Sequence, residues 1–152
     1  MILTGGNAMS NYFAYLRIST KEERGKQKYT RQENSLERYA RNNDIDYVIK
    51  FYEDASGKSF TRRSEWNRLE KIIQPGDTIV FKDITRFTRE AENGYIKYME
   101  LMAKGVNLIF LDNPTLSTEY IKNLIATAKN MNFLERTVNE LLIKVLLAAE
   151  LT

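Results

Sequence analysis

Two short arginine motifs and one hydroxyl-rich loop carry the side chains that could do chemistry. The first, Arg17-Ile18-Ser19-Thr20, ends an apolar run. Residues two apart in a strand share a face, so a guanidinium and a hydroxyl would point the same way. The second, Thr85-Arg86-Phe87-Thr88-Arg89, places two arginines three apart, side by side if a helix starts there. Cations are disfavoured at a helix N-terminus by about 0.3–1 kcal/mol, so such a pair makes sense if an anion such as phosphate binds between them. The third is the loop Glu53-Asp54-Ala55-Ser56-Gly57-Lys58-Ser59, with Arg62 and Arg63 behind it. Its Gly-Lys-Ser fragment is not a Walker A loop, since that motif needs a glycine where Tyr52 stands. The two arginine motifs also have plain readings, with Ser19 as a loop cap and Arg17 as a surface charge, and with Arg86 and Arg89 as a solvated pair countered by Glu90 and Glu92.

Composition narrows the chemistry. The 152 residues contain no Cys and no His, which excludes disulfides, Cys/His zinc sites, catalytic thiols and imidazole triads. No metal or other cofactor is expected. With 23 Lys+Arg against 20 Asp+Glu the formal charge is +3, too small to mark a nucleic-acid binder unless the cations cluster on one face. At 43% hydrophobic and 28% charged the chain has the make-up of one globular domain. No apolar run approaches the roughly 18–20 residues needed to span a bilayer, and no signal peptide is evident. A cytoplasmic protein with no membrane partner is expected.

The elements that must position these groups follow from periodicity. Residues 1–10 show none and read as a leader, with disorder the expectation there. Tyr12 to Ile18 reads as a strand, Thr30 to Asn42 as a helix and Tyr47 to Tyr52 as a second strand. A helix near Ser64 to Ile73 follows, with Ser64 as N-cap and Trp66, Leu69, Ile72 and Ile73 inward. Pro75-Gly76-Asp77 is a turn, Thr78 to Phe81 a third strand, Thr88 to Lys104 a helix closed by Gly105, and Val106 to Leu111 a fourth strand. The alternation predicts an α/β fold over 11–117, a mostly parallel sheet of four to five strands with helices on both faces. Ligands then meet the carboxyl ends of the strands, where all three motifs fall. The charged stretch Lys21 to Lys28 reads as a mobile loop flanking that rim.

From Thr118 to the end, apolar residues keep helical spacing. One long helix would run to roughly 50 Å, whereas a domain of this size has a radius of gyration of about 15 Å, so its far end should project and need a partner to cover it. The alternative is that Asn130 and Asn132 break it into two packed helices. The pattern runs to Thr152 without a helix-ending signal, as in a truncated chain.

From about Tyr12 to Asn113 the chain resembles the serine recombinases of the resolvase/invertase superfamily, in particular the large transposon- and phage-associated members. Y-L-R-I-S-T matches the strand bearing the family's nucleophile, which puts that role on Ser19 and phosphate contact on Arg17. Gln32 in T-R-Q-E-N-S-L matches a glutamine that helps organise the site. D-A-S-G-K-S-F-T-R-R matches the family loop, with Ser56, Gly57 and Arg62 in the expected positions and Lys58 beside them. G-D-T-I-V-F-K-D-I-T-R-F-T-R-E matches the segment of paired arginines, here Arg86 and Arg89. One departure is Thr85, where the family usually has Asp; Asp83 lies two residues earlier. In the tail, Ala148-Ala149-Glu150 resembles the start of the family's oligomerisation helix, and that helix's arginine and the DNA-binding domain are expected beyond this chain.

The resemblance implies transesterification of double-stranded DNA through a 5′-phosphoserine link, followed by strand exchange and religation without ATP or metal. It also implies a homodimer and a synaptic homotetramer assembled through 118–152. Arginine is a poor base, so Glu53, Asp54, a substrate oxygen or water would take the serine proton. Two other classes stay open: a catalytically silent DNA-interaction or assembly module of the same fold, and an unrelated α/β domain binding a small anionic ligand.

Overall fold

The computed structural model describes residues 10–19, 29–127 and 131–151. The leader and the charged stretch after Ser19 lie outside them, apart from Ser10. Four parallel strands, β1 (Tyr12–Ile18), β2 (Tyr47–Asp54), β3 (Thr78–Phe81) and β4 (Asn107–Phe110), form one sheet in the order β2-β1-β3-β4. Successive crossovers leave β1 in opposite directions, so the switch point lies between β1 and β3. In open α/β sheets, ligands bind in that crevice.

The sheet is buried on both faces. Ala14, Leu16 and Val80 pack with Leu36 of α1 (Thr30–Asn43) on one side. On the other, Phe13, Tyr15, Phe51, Ile79 and Phe81 meet Trp66 and Leu69 of α2 (Ser64–Ile72), and Tyr98 and Leu101 of a helix, Ala91–Ala103, beyond β3. The α/β expectation is met.

Three boundaries differ from the expectation. Ile72 is 43% exposed, because α2 ends there and Ile73, extended with φ −66° and ψ 138°, turns inward instead. Ser64 is not the N-cap of α2; Arg63 holds that position without a side-chain cap bond. The expected helix from Thr88 is two pieces, α3 (Ile84–Phe87) and α4 (Ala91–Ala103), separated by extended backbone at Thr88 and Glu90. The Glu90 side chain accepts from the Glu92 and Asn93 amides, which restarts the helix. Gly105, at φ +88°, closes α4 as expected.

The tail is also two helices, α5 (Thr118–Thr127) and α6 (Met131–Leu151). Val138, Leu142 and Leu146 of α6 are buried in the main core. This apolar face therefore finds cover on its own domain instead of projecting; the expected break at Asn130 lies outside the described residues, and Asn132 is within α6.

Candidate active site

Arg17 is the hub of the rim. Its side chain lies on the Phe13 and Tyr15 face of β1 and is 0% exposed. Nε donates to the Arg86 carbonyl at 3.1 Å, Nη1 to the Ala55 carbonyl at 2.8 Å and Nη2 to the Thr85 carbonyl. One guanidinium thus ties the end of β1 to the loops after β2 and β3. Burial, then the nearby guanidiniums of Arg63, Arg89 and Arg86, push its pKa down to about 10, with Tyr15 opposing them. These interactions place four cationic side chains near one another at the crevice.

The main chain of Arg17 is clamped as well. Gln32 Oε1 accepts its N–H at 3.1 Å and Nε2 donates to its carbonyl at 3.0 Å. Arg86 Nη1 donates to the same carbonyl at 2.9 Å. Ser19 follows two residues on, half-buried at the carboxyl end of β1.

The paired arginines are set by α3. Ile84 and Phe87 are 1% and 0% exposed, and their spacing anchors one face of this single turn. Asp83 caps it, accepting from the Thr85 amide at 2.9 Å and from the Thr85 hydroxyl, and its carboxylate lies 3.4 Å from Arg86 Nε. Arg86 and Arg89 do not lie on one helical turn as expected: Arg89 stands in the extended link to α4, its N–H donating to the Gly57 carbonyl at 2.9 Å. Arg89 Nε is buried and has no hydrogen-bond partner among the described residues.

The loop after β2 meets them. Gly57 fits so closely that a Cβ there would lie 2.6 Å from Arg17 Nη2 and 2.9 Å from Arg89 Cγ. Ser56 and Lys58 are exposed, and Ser56 Oγ accepts the Lys58 amide at 3.1 Å. Arg62 is exposed, whereas Arg63 is 0% exposed. The two carboxylates of β2 also part. Glu53 is 2% exposed and accepts from Tyr15 Oη, the Trp66 amide and the Glu65 amide at 3.0, 2.9 and 3.2 Å, so it caps α2 from the neighbouring strand. Asp54 is exposed and is the register partner of Ile18.

The structure therefore brings Ser19, Arg17, Gln32, Arg86, Arg89 and the 55–59 loop to one crevice. It leaves Arg62 on the surface and turns Glu53 into a cap. Sequence reading assigned no role to Arg63; its only signal was its place in the Arg-Arg pair, three residues before Trp66. Among the described residues, no cluster of acidic groups could hold a metal and no helix is long and apolar enough to cross a membrane.

Such a crevice suits a phosphate diester. Guanidiniums supply charge and paired donors to a phosphoryl group, and a hydroxyl can act as nucleophile. Residues 12–145 match the family model described as resolvase, N terminal domain. The N-terminal catalytic domain of TP901-1 integrase is similar at TM-score 0.63 and 16% identity, over 90% of this chain and 98% of that one. A resolvase family site-specific recombinase from Streptococcus pneumoniae gives 0.60 and 20%, over 94% of each chain. The catalytic domain of ISC1926 TnpA, an IS607-like serine recombinase, gives 0.55 and 19%, over 86% and 97%. At these identities the likeness is one of fold. A search of curated proteins found no match.

Proposed function

The chain belongs to the resolvase N-terminal domain family, and on that premise we propose that it is the catalytic domain of a site-specific DNA recombinase with Ser19 as nucleophile. The observation that carries this is the set of guanidiniums around Arg17, adjoining a half-buried serine at the sheet's switch point. Among the described residues the Arg17 guanidinium donates to main-chain carbonyls and to no carboxylate, so its charge stays uncompensated and supports a positive field for an incoming phosphate.

In this reading Ser19 Oγ attacks a backbone phosphorus, an Oγ–P bond forms and the P–O3′ bond breaks. The protein is left on a 5′-phosphate and the 3′-oxygen leaves as a hydroxyl after taking up a proton. Arg86 and Arg89 hold the non-bridging oxygens, and Arg17 orders both segments and adds charge. Glu53 is occupied as a cap, which leaves Asp54, water or a substrate oxygen to accept the serine proton. Rejoining reverses the same steps, so the ester energy is conserved. Double-stranded DNA is the partner, and a homodimer and synaptic homotetramer belong to the same proposal.

The test is incubation with nicked suicide duplexes carrying recombination sites of resolvase-type elements. A covalent adduct whose linkage maps to Ser19 is expected, and Ser19→Ala should form none while folding normally. Arg86→Lys should be severely impaired, because a point charge does not replace a planar fork. DNA binding without adduct from the unmodified chain would favour the silent assembly module.

A further inference from the structure

We propose that the outer face of α1, which carries Arg31, Asn34, Arg38 and Arg41, is a second duplex-binding surface, gripping the phosphate backbone of DNA that runs on from the crevice. This rests on the reading above that the partner is double-stranded DNA.

The helix sorts its charges by side. Glu33 accepts from Tyr52 Oη at 2.8 Å and Glu37 from Lys50 Nζ at 3.2 Å, so both carboxylates are drawn toward β2. Arg31 and Arg38 are seven residues apart and share another face, with Asn34 between them and Arg41 one turn on. All four are exposed. Among the described residues no carboxylate pairs with these arginines. Glu37 lies one turn before Arg41 but reaches Lys50 instead. Asp112, which shares a cavity with Arg38, is held by Lys82 Nζ at 2.5 Å.

A helix face that is merely solvated interleaves the two signs, so that each cation finds a carboxylate three or four residues away. Arg38 has Asn34, Ser35, Arg41 and Asn42 at those spacings. Arg31 is followed by Asn34 and Ser35, and it stands in the first turn, where a cation is disfavoured. Uncompensated guanidiniums with amides between them are donors suited to phosphate oxygens. This one-sided clustering is what the net charge of +3 leaves open.

Position and length fit a DNA backbone. Gln32, next to Arg31, pairs with both main-chain groups of Arg17. The first turn of α1 therefore abuts the end of β1 that bears Ser19, and the helix runs back from there with Leu36 on Ala14, Leu16 and Val80. From Arg31 to Arg41 the helix rises about 15 Å, which is about four nucleotide steps of one strand. A duplex with one phosphate in the crevice can lay its flank along this stripe, and each guanidinium then releases counterions from it.

The test measures duplex affinity between about 50 and 200 mM salt for the unmodified chain and for the Arg31→Gln, Arg38→Gln, Arg41→Gln triple variant. The control removes equal charge at exposed positions elsewhere, as Arg68→Gln, Lys71→Gln and Lys104→Gln. The probe is a suicide duplex extending well past both sides of the cleavage point. Each phosphate contact contributes about 0.9 to the slope of log affinity against log salt. The α1 variant should lose roughly 2–3 of that slope and bind at least about tenfold more weakly at low salt, while the control stays within about 0.5 of the unmodified slope. The rate of adduct formation at saturating DNA should stay within about twofold, as for a lost contact that serves binding alone. Circular dichroism and a urea transition verify folding; if the triple variant does not fold, Arg38→Gln decides the question with an expected loss of about 0.9 in slope. Equal slopes for the α1 variant and the unmodified chain, or equal losses in the α1 and control variants, would overturn this inference and leave the adduct reading standing. Binding that depends on the stripe but yields no adduct would support this surface and overturn the catalytic reading. An unmodified chain that neither binds the duplex nor forms adduct would overturn both.

Discussion

The side-chain amide of Gln32 pairs with both main-chain groups of Arg17, Oε1 taking its N–H at 3.1 Å and Nε2 giving to its carbonyl at 3.0 Å. Beyond Ala14, β1 has no partner residue on β3. The amide of a helix residue stands in for that missing strand, so the end of β1 that bears Ser19 stays ordered while the crevice beside it stays open. Gln32 is 2% exposed, so this pairing is made out of water.

Gln32→Leu removes both bonds and leaves the Arg17 N–H unpaired. A buried unsatisfied group costs about 1–3 kcal/mol, and a loss of roughly that size is expected from urea denaturation. Equal midpoints for the Gln32→Leu variant and the unmodified chain would show that the pairing contributes nothing.

Glu53→Gln tests the cap. The carboxylate accepts from Tyr15 Oη and two amides of the first turn of α2, and replacing a capping acceptor typically costs about 0.5–2 kcal/mol. Asp54→Asn, at an exposed position, should stay within about 0.5 kcal/mol. A stability loss confined to Asp54→Asn would reverse the roles given to the two carboxylates.

These residues show what is legible in a sequence. The strands are, because apolar runs bounded by turns report burial locally. Arg17 and Ser19 are placed at the rim by the same logic. What Arg17 does there is not legible, because its partners are carbonyls 38 to 69 residues away. Arg62 and Arg63 are identical as letters, and contact with Gly57 and Phe60 decides which is buried. Glu53 becomes a cap because β2 runs two residues past the expected Tyr52. The split between α3 and α4 leaves one trace, the capping carboxylate of Glu90.

Stability should fall as pH rises past about 10. Burial raises the hydroxyl pKa of Tyr15 and Tyr98 well above the ordinary 10.0. The folded state then keeps protons that the unfolded chain releases, and each such tyrosine costs about 1.4 kcal/mol per pH unit above its unfolded value. Arg17, pushed down to about 10, and Arg63, also lowered by burial, act in the opposite sense, but the raised tyrosines, which include Tyr39, Tyr47 and Tyr52, outnumber them. Urea midpoints at about pH 9 and 11, either side of the unfolded tyrosine value, should show the fall, and Tyr98→Phe should flatten it. A midpoint rising with pH would contradict the assignment.

The packing of α6 can be tested without DNA. Leu142 is 1% exposed, between Val138 at 3% and Leu146 at 3% on the same helical face. If that face lies on the domain core, Leu142→Ala costs about 2–5 kcal/mol through lost burial and the cavity left behind. If the helix projects, the same change removes only an exposed side chain and costs less than about 0.5 kcal/mol. Glu140→Ala, at an exposed position, is the control and should stay near zero. The measurement is the urea transition at low protein concentration, repeated at roughly tenfold higher concentration. A Leu142→Ala cost that appears only at the higher concentration would assign the buried face to a second copy of the chain instead of to its own core.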